Sequence, residues 1–122
     1  MDIASFEKLI EKEIRSISQA DILQAIDSHR VPLRIENREW DYSETFTEYP
    51  CFIALEDKST NTAVAYCEKG FGPTHPWGLI FIEGENMSMS MGMDCGWFMS
   101  LEDAIRESMF WHGENPENYE VQ

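Results

Sequence analysis

A chain of 122 residues is the size of one hydrophobic core, and its 43% apolar residues are enough to fill that core without disulfide or metal staples. Its 23 acids against 9 bases give a formal charge of -14 at pH 7, a field that repels phosphate and anionic lipid and so argues against direct binding to nucleic acid or to a membrane. There is no apolar run of about 18 residues for a membrane span, and the N-terminus "MDIASFEKLIEKEIRS" is charged and amphipathic where a secretory signal is basic and then greasy, so the expected location is cytoplasmic.

Ile3, Phe6, Ile10, Ile14 and Ile17 recur at three and four, which places one apolar stripe on a helix over residues 3–17. Ser18, with Asp21 three residues on, predicts the cap of a second helix carrying Ile22, Leu23 and Ile26, and Pro32 marks its latest end. At Leu33 the period changes to two. Leu33, Ile35 and Asn37 alternate with Arg34, Glu36 and Arg38, which predicts a strand with its apolar side on a core and its charged side in water, continuing as far as Phe46. "CFIAL" and "NTAVAYC" then read as a hairpin across "EDKST", which would set Cys51 and Cys67 roughly opposite each other. "WGLIFI" is a further strand, entered through the Gly- and Pro-rich "GFGPTHP".

The segment "NMSMSMGMDCGWF" sends Met87, Met89, Met91 and Met93 to one side of an extended strand and Ser88, Ser90 and Gly92 to the other. Same-side neighbours on a strand lie about 7 Å apart, too far for several thioethers to share one soft ion. The methionines therefore either fill gaps beneath helices or form an adaptable binding face. Ser100 can cap a final helix whose inner stripe is Leu101, Ala104, Ile105, Ser108 and Met109, with Gly113 just past its end. The expected fold is a single α+β domain over residues 1–122: two helices within 1–30, a mostly antiparallel five-stranded sheet within 31–98, a helix over 100–113 packed on that sheet, and a polar tail over 114–122.

Three cysteines leave an odd thiol in any pairing, so Cys51, Cys67 and Cys95 are expected to be reduced. A Cys nucleophile would need His29, His75 or His112 as base, and the neighbouring Asp94 raises the Cys95 thiol pKa where activation would lower it. No CxxC or HxH spacing indicates zinc. The "GFG" stretch lacks a following helix, and Pro73 and Pro76 remove amide donors that a phosphate would need. The expectation is a protein that is not an enzyme and has no cofactor. The alternatives are a small metal-binding protein or Cys-dependent enzyme built on Cys95 and His75, and an acidic mimic of DNA.

Across "GFGPTHPWGLIFIEG" and "SMGMDCGWFMSLEDAIRES" the chain resembles the small acidic immunity proteins that accompany bacterial polymorphic and contact-dependent growth-inhibition toxins. Such proteins share neither one fold nor a catalytic motif, so no functional residue carries across. The resemblance implies binding to one cognate toxin domain, commonly a basic nuclease, with its active site or an exosite blocked. The charge distribution agrees with a basic partner, since residues 1–30 hold 6 acids and 4 bases whereas residues 31–122 hold 17 and 5. The candidate contact set is Glu56, Asp57, Glu68, Glu83, Glu85 and Asp94 as carboxylates, with Trp77 and Trp97, each beside a glycine, as anchors.

Overall fold

The computed structural model describes residues 1–39, 48–69, 74–82 and 96–119. Helix α1 (Ile3–Ser16) starts at Asp2, whose carboxylate accepts the Ser5 amide at 2.8 Å, and its apolar stripe buries Phe6 and Ile10. Helix α2 (Ala20–His29) turns Ile22, Ala25 and Ile26 inward. Its cap is Gln19 without a side-chain capping bond, in place of the expected Ser18. The Gln19 side chain is engaged elsewhere, as described below. Strand β1 (Arg30–Glu39) follows at once and contains Pro32, which an edge strand tolerates; a register irregularity lies between Arg30 and Arg34.

Strands β2 (Glu48–Asp57), β3 (Thr62–Tyr66), β4 (Trp77–Phe81) and β5 (Trp97–Phe98) complete an antiparallel meander in the order β1-β2-β3-β4-β5. The predicted hairpin is present. Asp57 closes its turn by accepting from the Thr60 amide at 3.2 Å and the Thr60 hydroxyl at 2.7 Å, and Asn61 adopts the left-handed φ of 57° that asparagine tolerates. Ile35, Phe52, Tyr66, Trp77 and Phe98 align in one row across all five strands. Phe6 of α1 sits on this row, 5.2 Å from Phe52, 5.9 Å from Tyr66 and 6.0 Å from Trp77 between ring centroids. All three helices contribute to this one core with one face of the sheet, giving a single small α+β domain.

Helix α3 (Leu101–Arg106) begins as expected at Ser100, whose hydroxyl accepts the Asp103 amide at 3.1 Å. It ends seven residues before the expected Gly113. The Ser108 hydroxyl and amide both donate to the Ile105 carbonyl, at 2.7 and 3.1 Å, drawing the chain into a turn. Leu101, Ala104, Ile105 and Ser108 are buried as predicted, but Met109, beyond that turn, is 53% exposed.

The other face of the sheet carries Cys51, Ile53, Ala63, Ala65, Cys67, Ile80 and Trp97, buried among themselves. Arg34, Glu36 and Arg38 share this face; Leu33 packs on the helix-side core as expected, but further along β1 the expected exposure is reversed, with Arg38 3% exposed and Ile35, on the helix side, 46% exposed. The reason is curvature. Arg38 donates through Nη1 to the Phe81 carbonyl at 3.0 Å, although the two residues lie at opposite ends of strands three places apart. In a flat sheet they would be separated by about 14 Å across the strands and about 20 Å along them. The bond therefore requires a sheet coiled until its diagonal corners meet, which makes the charged face concave. Trp40, Phe46 and the methionine run lie outside the described residues.

Candidate functional site

Of the expected contact residues, Glu56, Asp57, Glu68, Trp77 and Trp97 are described. Glu56 pairs with Arg34, which also donates to Glu36 at 2.6 Å. Asp57 is committed to the hairpin turn and lies 3.5 Å from His29 Nε2; the Thr60 hydroxyl, ahead of the other contacts, holds its carboxyl below the usual range. Glu68 is exposed and accepts from the Tyr66 hydroxyl at 2.7 Å, beside a cleft of about 160 Å³ lined by Met1, Ile35, Pro50 and Phe52. Trp77 is 2% exposed and packs edge-on against Tyr66, with centroids 5.0 Å apart. Trp97 is 9% exposed and covers Gly78. Both rings serve the core and present almost no surface to a partner. Glu83, Glu85, Asp94 and Cys95 lie outside the described residues. His75 Nδ1 is 3.0 Å from the Thr74 hydroxyl, and among the described residues no three His, Cys, Asp or Glu side chains converge as a metal site.

One group of the described acidic side chains lies on α3, the start of α2 and residues 107–119. Residues 100–122 contain six acids and one base, Arg106. That base faces inward, 7% exposed. Its guanidinium donates to Glu102 at 2.6 and 3.0 Å, to the Gln19 side chain at 2.8 Å and to Asn115 at 2.9 Å, and it lies 5.6 Å from the Trp111 ring centre and 5.4 Å from that of Tyr119. Gln19 also donates to the Glu114 carbonyl at 3.1 Å, which explains why its side chain does not cap α2. One buried arginine thus fastens the final segment to two helices.

Around this hub the outer carboxylates are Asp21, Asp103, Glu107, Glu114 and Glu117. Partial burial, then the neighbouring charge of Glu102, pushes the Asp103 carboxyl up. Burial, with Asp103 and Glu107 nearby, pushes the Tyr119 phenol up to about 12. Uncompensated negative potential of this kind accommodates an arriving cation. Next to it, Glu107 also borders a cleft of about 230 Å³ lined by Leu79, Phe81, Phe98 and Met109, an apolar seat beside an acidic rim.

In the sequence, Glu102 and Asp103 read as helix-start residues, with a hard-cation or general acid/base role as the alternative, and nothing singles out Arg106, Gln19 or Tyr119. The density of acids after Ser100 was the available signal. Among the described residues no helix is long and apolar enough to cross a membrane. No family model, curated protein or solved structure matches this chain.

Proposed function

We propose that the protein is an immunity-type inhibitor that binds a basic toxin domain, and that its docking face is the acidic pole formed by α3, the start of α2 and residues 107–119. The observation that carries this is how the arginines are used. Of the five arginines, Arg30, Arg34, Arg38 and Arg106 are each paired with a carboxylate of the same chain, so the one base after Ser100 is held internally while Asp21, Glu107, Glu114 and Glu117 are exposed and Asp103 is half-buried. Opposite fields accelerate encounter and fix orientation, and the cleft bordered by Glu107 offers an apolar anchor of the partner somewhere to seat.

The test is co-expression with each basic domain encoded by the reading frames adjacent to this chain's. Restored growth, with a stoichiometric complex whose association slows as salt rises, is the expected result. Failure to form a complex with any neighbouring basic domain, or catalytic turnover by the isolated chain, would exclude this function.

A further inference from the structure

Two nucleophilic side chains take no part in the docking role: Cys51 and Cys67, both buried in the concave face. Strands β2 and β3 are in register at Phe52–Tyr66, so one step further on Cys51 stands opposite Cys67. How the chains meet there follows from the main chain of Cys67. Its N–H donates to the Pro76 carbonyl at 2.8 Å, on the β4 side, and in a strand the N–H and C=O of one residue point the same way. Cys67 therefore offers neither group to β2, and Cys51–Cys67 is a non-hydrogen-bonded pair. Such pairs bring Cα atoms to about 4.5 Å, with side chains closer than elsewhere in a ladder, and a disulfide spans roughly 4.4–6.8 Å between Cα atoms. The two thiols are already in hydrogen-bond contact. Chain connectivity favours the same pairing: positions 51 and 67 enclose a shorter loop than either makes with Cys95, and the entropy of closing a loop grows with its length.

We propose that Cys51 and Cys67 are a latent cross-link, joined as a disulfide when the chain folds in the presence of a small disulfide oxidant such as oxidised glutathione. In the open chain one cysteine thiolate attacks oxidised glutathione, forming a mixed disulfide and releasing one glutathione thiolate. Folding brings the second cysteine opposite. Its thiolate attacks the first cysteine's sulfur, closing the Cys51–Cys67 bond and expelling the second glutathione. Two thiols lose two protons and two electrons, and one oxidised glutathione becomes two reduced molecules. If the hairpin closes with both thiols free, burial of both side chains shuts the oxidant out, so the redox state of the surroundings is recorded at folding. The bond ties β2 to β3 and removes freedom from the unfolded chain. It is independent of the docking role.

The test refolds the unaltered chain from urea at pH 8 into oxidised or into reduced glutathione, quenches with acid and maps tryptic peptides by mass spectrometry. Trypsin cuts after Lys58 and Lys69, which puts Cys51, Cys67 and Cys95 on three separate peptides. In the oxidised product the Cys51–Cys67 link should dominate. That product should keep the far-ultraviolet circular dichroism of the reduced form and melt roughly 10 °C higher. A folded chain whose two thiols are free or capped by glutathione, pairings dominated by Cys95, or a linked chain that melts no higher than the reduced one overturns the proposal. Oxidised glutathione added after folding should leave both thiols free; equal linking in that arm overturns the claim that the choice is made at folding.

Discussion

The ring of Trp97 lies against Gly78 across the β4–β5 pair, so closely that a Cβ on Gly78 would sit 2.6 Å from its Cη2 and Cζ3 atoms. The neighbour that would have to yield is a rigid indole buried on the concave face. Gly78→Ala should therefore destabilise the fold by about 1–3 kcal/mol, the usual cost of overpacking, read as a lower urea midpoint. Trp97→Ala should cost about 3–5 kcal/mol, and its effect should appear in unfolding and not in the lifetime of a complex.

Arg106→Lys keeps the charge and loses the planar fork that serves Glu102, Gln19 and Asn115 together. Because Glu102 retains some solvent, the loss should be somewhat below the roughly 3–5 kcal/mol of breaking a fully buried pair. Hydrogen exchange should localise the loosening to residues 111–119, while the sheet amides stay protected.

Acid should weaken the concave face through Glu36. Burial by itself would raise this carboxyl, but hydrogen bonds from Arg34 and Arg38 outweigh it and hold the group below its ordinary value of 4.5. A carboxyl lowered in the folded state gives stability that is complete above the unfolded value and is lost as pH falls through the folded one. Denaturation midpoints measured from pH 7 downward should decline below about pH 4.5. Glu36→Gln should be less stable at pH 7 and lose that part of the decline.

Asp103 should behave in the opposite sense. Its carboxyl is raised, first by burial and then by Glu102, so its ionised form opposes folding at neutral pH and ceases to as the group protonates. Asp103→Asn should raise the thermal midpoint at pH 7, with the gain vanishing below the unfolded pKa. On the proposed docking role, the same variant should associate more slowly with a basic partner, because it removes one of the attracting charges.

Cys51 and Cys67 face each other where β2 and β3 pair, and the hydrogen bond to Cys67, followed by burial, pushes the Cys51 thiol far up. Thiolate is the reactive form, so neither should be modified by a thiol reagent at pH 8 until urea unfolds the chain. Site-resolved mass spectrometry checks this without interference from Cys95.

Local chemistry was legible in the sequence: the spacing that buries Phe6 and Ile10, the Ser100 cap, and the hairpin that sets Cys51 across from Cys67. Long-range reuse of polar side chains was not. Arg106 within an acidic stretch reads as a solvated charge, and its burial depends on Gln19, 87 residues away. Likewise the alternation in β1 gave its two faces and the burial of Leu33, but curvature reversed the exposure of Ile35 and Arg38. Arg38 is satisfied by Glu36 and a distant carbonyl, whereas Ile35 extends past the cover of the helices. In the same way, glycine beside tryptophan at Gly78–Trp77 and Gly96–Trp97 suggested accessible rings, when Gly78 instead makes room for Trp97 to pack down.

Every strand in this meander pairs with its neighbours in sequence, so each hairpin alone could settle one residue out of step. Arg38 spans 43 residues to a carbonyl on the fourth strand and can reach it only when three successive pairings are all in step. A single slip in any of them would send its guanidinium to the opposite side of the sheet. The arginine thereby acts as a proofreading contact, rewarding the one alignment among many near misses after the strands have already found each other.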